Sequence, residues 1–285
     1  MALPDQELIA LLTDLESDRV ERKENAANSD RRRSLDLPFD SRPIPGTSLA
    51  DLDTYTFSAV LLPALLPRDV LAENERSIEQ RLAALRLTSQ DSIPTAAGLL
   101  AVGVDPLAFV PGAYVQFLRL GGDELDAPIK DEKRLHGTLL DVLRQLDEVL
   151  ELNITTAVDF TAGRREGRTA DYPLVALQQV ARNAVLHRSY EHTASPVRIT
   201  WYSNRVEVIS PGGPDGIVSA DNFDHPGVTD YRNPALADLL RGLGYVQRFG
   251  MGLPSVHRSL KVNGNPPPEF TVTDSYISAT LRRRT

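Results

Sequence analysis

The spacing of apolar residues changes character several times along the chain, and each change marks an expected element. In residues 5–16, Leu8, Leu11, Leu12 and Leu15 fall at helical intervals before the charged stretch SDRVERKENAANSDRRR. Residues 34–48 hold three prolines and a glycine with little periodicity, which predicts an extended connector. Between Leu49 and Leu87 the spacing predicts two helices, with Val70, Leu71, Ile78, Leu82 and Leu85 on an apolar stripe. AAGLLAVG then reads as a helix or strand, and PGAYVQFLRLGG as a strand through Tyr114, Phe117 and Leu118. Residues 131–152 place Leu135, Leu139, Val142, Leu146 and Val149 on one face of a long amphipathic helix.

From about Tyr172 the order becomes helix, hairpin, loop, two helices and two strands. YPLVALQQVARNAVLH forms a helix with Pro173 in its first turn. PVRITW and RVEVIS alternate about Tyr202-Ser203-Asn204 as a hairpin, and Gly212-Gly213 closes it. NPALADLLRGLGY predicts a helix with Asn233 as N-cap, Pro234 in its first turn and Gly244 past its end. RFGMGLPSVHRSLKVNG is a loop and short helix, and EFTVTD and YISATLRRR are closing strands. The fold class expected is α+β, with a C-terminal α/β sandwich, a mixed sheet with helices on one face, preceded by a smaller helical/αβ region.

Composition narrows the chemistry. Thirty-one Lys and Arg against 39 Asp and Glu leave a net charge of −8, which opposes non-specific association with nucleic acid. The runs Arg31–Arg33 and Arg282–Arg284 are short, so any such contact is local. With no cysteine and five histidines lacking HExxH spacing, thiolate catalysis and thiolate-held zinc are excluded. No run approaches the ~18–20 apolar residues of a membrane span, and acids replace the basic start of a signal peptide. The expectation is a cytoplasmic protein with no membrane partner. No GxxxxGK[ST] loop occurs, which argues against a helicase motor.

On the helix at 172–187, Gln179, Asn183 and His187 recur every four residues and line one polar stripe. Such a stripe is by itself a solvent face. Gly250 and Gly252 permit close backbone approach to an anion, and the helix after them aims free N–H groups at it. Taken alone, Gly-x-Gly also serves any turn before a helix. The order of stripe, hairpin exit at Ser210-Pro211-Gly212-Gly213, long loop and Gly250-Met251-Gly252 is more informative than any single piece.

In that order the motifs resemble the Bergerat-fold (GHKL-type) ATP-binding superfamily of DNA gyrase B subunits, MutL mismatch-repair proteins, cytosolic heat-shock chaperones and sensor histidine kinases. LQQVARNAVLHRSY is similar to its N-box helix, RVEVISPGG to its first glycine box and FGMGLPSVHRSL to its second. More closely, NAVLHRSY, VEVISPGG and TDYRNPALADLLRGLGYVQRFGMGLPSV resemble bacterial ATP-binding proteins described as predicted transcriptional regulators. These carry an upstream Schlafen AlbA-like domain assigned to DNA binding. The resemblance spans about 34–285, and VERKEN resembles only one edge of the AlbA-like domain. The implied organisation is a truncated AlbA-like remnant at 1–33, a connector at 34–48, a middle α/β region at 49–170 and a Bergerat-type nucleotide-binding domain at 171–285.

The resemblance implies ATP or ADP as cofactor, with Mg²⁺ on Asn183, a hard cation on an oxygen ligand. Gly212 and Gly213 would give room beside the adenine, and Ser210 would take the place of an Asp that accepts from the adenine amino group. Gly250, Met251, Gly252 and Leu253 would hold phosphate beneath a lid at 214–249, with Thr280 near the closing strand. His187 and Arg188 follow Asn183, where Arg could meet phosphate oxygens. Two departures stand out. Gln179 occupies the position of the water-activating Glu, and an amide is no general base. Met251 replaces a small hydroxyl residue that would supply a phosphate hydrogen bond. The function implied is an adenine-nucleotide-binding regulatory switch with weak or no hydrolysis, its partners being DNA, a regulatory protein or a second copy in a homodimer. The alternatives are an active ATPase using another carboxylate such as Glu191, and a DNA-binding or scaffold protein with a degenerate pocket.

Overall fold

In the computed structural model, residues 37–73, 75–159, 167–191, 193–225, 227–246 and 250–284 are described. The helix expected at 5–16 and the remnant placed at 1–33 lie outside the described residues. Phe39–Thr285 is one compact unit. Its strands are β1 (Val115–Leu120), β2 (Ile129–Leu135), β3 (Thr156–Asp159), β4 (Gly167–Ala170), β5 (Val197–Trp201), β6 (Arg205–Pro211), β7 (Glu269–Val272) and β8 (Tyr276–Arg282). Five helices shape or support the site: α1 (Ala96–Val102), α2 (Leu139–Asn153), α3 (Leu174–Leu186), α4 (Pro234–Gly242) and α5 (Gly252–Asn263).

Six strands form one mixed sheet in the order β2-β1-β5-β6-β8-β7, and β3 and β4 pair separately. β1 runs parallel to β5, while its other neighbour and the remaining pairs are antiparallel. Strands from 49–170 and from 171–285 therefore share one sheet and one core. Register sets Phe117 beside Ile199, Ile199 beside Val208, and Val208 beside Ala279, so one face carries a continuous apolar band. All four are buried, whereas the alternate positions Gln116, Arg198, Glu207 and Thr280 keep exposure. Helices α2 and α3 close the apolar face with Leu143, Leu146, Leu150, Leu177 and Ala181, and Tyr172 meets Trp201 edge-on at 5.4 Å.

Two expectations are corrected. The helix read from 131 begins only at Leu139, and Ile129–Leu135 is edge strand β2, paired with β1. The start is set by the Thr138–Asp141 capping box, whose side chains and backbone N–H groups bond reciprocally. The charges of KDEKR suit an exposed sheet edge and suppress pairing with another chain. Asn233 does occupy the N-cap position of α4, yet its side chain makes no capping bond. Its Nδ2 donates instead to the carbonyls of Leu186 at 2.7 Å and Arg188 at 2.9 Å, at the end of α3. The Leu236 N–H at the start of α4 donates to Asp40 Oδ2 at 3.0 Å, supplied from far away in sequence.

Candidate functional site

The polar stripe of α3 faces a cavity of about 170 Å³ that opens to solvent. Pro173 starts this helix and Asn233 holds its end, so Gln179, Asn183 and His187 project on successive turns into the same space. Ser210, Gly213, Val208 and Ala279 line it from the sheet, and Gly250, Gly252 and Leu253 from the start of α5. The order read in the sequence thus becomes one cleft between α3, the sheet and α5.

The Asn183 and Gln179 amides have no hydrogen-bond partner among the described residues, and both sit against Gly252. A Cβ at Gly252 would lie 3.3 Å from Asn183 Nδ2 and 3.4 Å from Gln179 Oε1, so a methyl at this position would press on the two amides and shift them by a few tenths of an ångström. Gly250 adopts φ +65°, a left-handed conformation, two residues before α5. At the helix start Pro254 has no N–H and Ser255 N donates to the Met251 carbonyl. Gly252 and Leu253 supply the free donors there.

Ser210 Oγ donates to the Ala184 carbonyl at 2.7 Å. Its proton is spent, and toward a ligand the hydroxyl acts only as an acceptor. That polarity suits an amino group. His187 stacks on Tyr231 at 5.5 Å with 17° between planes. Burial, aided by the nearby Arg232 cation, pushes its pKa down to about 4, so the ring is neutral at pH 7.

Residues of 214–225 and 227–232 line the outer part of the cavity and are tied down at several points. Arg232 Nη2 donates to the Gly213 carbonyl at 2.9 Å and faces Asp215 at 3.4 Å. Asp224 Oδ2 meets His257 Nε2 of α5 at 2.6 Å, and Phe223 contacts Phe270 of β7 edge-on at 5.3 Å. Of the stretch 214–249, α4 is not part of this cover, because Leu236 and Leu240 are buried in the core. Sequence reading missed Tyr231, Arg232, Phe223, Asp224 and Phe270. They fall in a stretch without periodicity or on an edge strand, and nothing local marks their convergence.

Several expected residues stand elsewhere. Arg188 is 1 % exposed and turned into the interior, donating to the Ser195 carbonyl at 2.6 Å. Thr280 lies on the sheet face opposite Ala279, and Met251 is 44 % exposed outside the cavity lining. Gly212, at φ +100°, packs against Ser189 outside the cavity lining, whereas Gly213 does line the cavity and a Cβ on it would also lie 2.5 Å from the Thr273 carbonyl oxygen. These glycines serve a tight approach of backbone to backbone. Glu191 pairs with Arg42 and does not line the cavity.

Among the described residues no group of three or more His, Asp or Glu side chains is arranged to hold a metal. Asn183 is a single neutral oxygen ligand and would need phosphate oxygens beside it to bind Mg²⁺. Among the described residues no helix is long and apolar enough to cross a membrane.

Residues 194–281 match the family described as "Putative ATP-dependent DNA helicase recG C-terminal". This part of the chain, which holds the sheet side of the cleft, the covering segment and α5, is ATPase-like. No curated protein matches the chain. A solved structure with the same fold is the DIP2311 protein from Corynebacterium diphtheriae, with a TM-score of 0.64 and 20 % identity, covering 87 % of this chain. The chain spans 48 % of the length of that protein.

Proposed function

We propose that this chain binds an adenine nucleotide in the cleft between α3 and α5 and acts as a binding switch, with hydrolysis slow or absent. The observation that carries the reading is the convergence of Asn183, Ser210 and the Gly250–Gly252 turn on one cavity. Ser210, fixed as an acceptor by its bond to Ala184, suits the adenine amino group. The donors of Gly252 and Leu253 and the positive end of α5 suit phosphate. Asn183 is available to a Mg²⁺ ion that the phosphates would bring, and such an ion would supply charge neutralisation there.

Gln179 takes the place from which a water would be activated, and its amide neither accepts a proton at pH 7 nor is replaced by Glu191, which is held by Arg42. Closure of 214–232 over the ligand then couples occupancy to the protein's outer surface. A nucleotide shifts that equilibrium only by its difference in affinity for the two cover positions. DNA, a regulatory protein or a second copy of the chain are the partners this reading would serve. A fluorescent ATP analogue should bind and be displaced by ADP, with phosphate release no faster than in Gln179→Ala. Release well above that control would show catalysis and sink the switch reading.

A further inference from the structure

A second, much smaller cavity lies on the far side of α3's end, apart from the nucleotide cleft. It is about 10 Å³, room for a single water-sized particle. Leu100, Ala113, Val115, Val142 and Val197 give it apolar walls. Its polar boundary includes Arg188 and the start of α2, which share one sign of charge, beside the uncharged rings of Tyr114 and Tyr190.

The first is Arg188. Its side chain is almost completely buried, and among the described residues it pairs with no carboxylate. Nε donates to the Ser195 carbonyl at 3.2 Å and Nη2 to the Thr193 and Ser195 carbonyls at 3.4 and 2.6 Å. The guanidinium lies 4.6 Å from the centre of the Tyr190 ring. Nη1 is buried with no hydrogen-bond partner. Gly112 permits this burial, since a Cβ there would sit 2.2 Å from Nη2. Carbonyl dipoles and an aromatic face ease a buried cation, but they leave its net charge uncompensated.

The second is the start of α2. Gly137 and Leu139 border the cavity, and the helix they open runs for 15 residues with its positive end here. Asp141, in its first turn, packs against Gly137 and answers part of that positive end, but its carboxylate is bonded to Thr138 and to Arg144 at the surface and leaves the Arg188 charge unpaired. Tyr190 donates its hydroxyl to the Val185 carbonyl and offers no charge. A buried cation with an idle donor and a helix N-terminus thus meet at a void of monatomic size.

We propose that this cavity is a site for one monatomic anion of the chloride class, the counter-charge of Arg188. An anion there joins α2 of the N-terminal half to the end of α3 and so fastens the helix that carries Asn183. A water molecule would satisfy Nη1 without answering the charge, and it is the competing occupant. The inference is independent of whether the larger cleft binds nucleotide.

The test uses the whole chain without nucleotide. Melting is followed at constant ionic strength as methanesulfonate, too large for the cavity, is replaced by chloride. Above saturation each tenfold rise in chloride should raise the Tm by roughly 3–5 °C. Arg188→Met should lose that dependence. Because this variant can fail to fold, crystals of the wild type in bromide give a second readout, an anomalous peak beside Arg188 Nη1. Equal melting in the two salts, or no bromide peak at that atom, overturns the proposal and leaves a water in the cavity.

Discussion

Replacing Gly252 with alanine separates the binding role of the α5 turn from its structural role. The added Cβ would lie 3.3 Å from Asn183 Nδ2, 3.4 Å from Gln179 Oε1 and 3.8 Å from Asn183 Oδ1. These neighbours are ends of flexible side chains, which can withdraw by a few tenths of an ångström. Gly252 opens a helix without a left-handed φ, so alanine is sterically permitted and carries the better helix propensity, by up to ~1 kcal/mol. Contact strain offsets part of that gain. The net change in stability should stay within ~1 kcal/mol, a shift in Tm of about 2–4 °C in a domain of this size. Binding responds differently, because a displaced Asn183 no longer meets the phosphate-bound cation. A charge-assisted contact is worth about 1.5–3 kcal/mol, a loss of roughly 10- to 100-fold in Kd. Thermal melting and nucleotide titration of the same sample read both quantities. Wild-type affinity in a folded Gly252→Ala protein would refute the assignment of this turn.

Three further outcomes follow from the geometry. Gly213→Ala forces a Cβ to 2.5 Å from the Thr273 carbonyl oxygen and 2.7 Å from that of Asp274, both backbone. It should destabilise the fold by about 1–3 kcal/mol in urea unfolding, unlike Gly252→Ala. Asn233→Leu keeps the branched outline of the side chain but strips the Leu186 and Arg188 carbonyls of their buried donor, at a cost of about 2–4 kcal/mol by the same assay. His187 has a folded pKa of about 4 against an ordinary 6.5, so the unfolded chain takes its proton first as pH falls. Stability from this residue is intact above pH 6.5 and declines between 6.5 and about 4, by at most ~3 kcal/mol and by less where the ring meets cavity water. Urea unfolding at pH 7, 5.5 and 4.5 should show this limb, flattened in His187→Phe.

Legibility in the sequence followed the range of the interactions. Helix α3, the β5–β6 hairpin, α5 and the last two strands were readable because periodicity, Pro173, Gly264 and the turn at Ser203-Asn204 are local signals. The α3 stripe and the Gly250–Gly252 turn pointed to one site for the same reason. β2 reads as helix because Leu135 fits the stripe of α2, and only the Thr138–Asp141 box separates strand from helix. The sequence offers Asn233 as a cap for its own helix because the competing acceptors at Leu186 and Arg188 are distant in sequence. Arg188 follows Asn183 by five positions, which suggests a shared site, but the helix has ended by then and the side chain turns inward. The β3–β4 pair and the ties of 214–232 to α5 and β7 depend wholly on tertiary contact.

If Asn183, Ser210 and the α5 turn form one nucleotide site, the free chain must bind adenine nucleotides. Isothermal titration of the full chain with ATP and with ADP, in the presence and absence of Mg²⁺, tests it most directly. Saturable binding of both nucleotides is expected, tighter with Mg²⁺, with a loss of the Mg²⁺ dependence in folded Asn183→Ala. No heat of binding for either nucleotide by the folded wild type, with or without Mg²⁺, would contradict it.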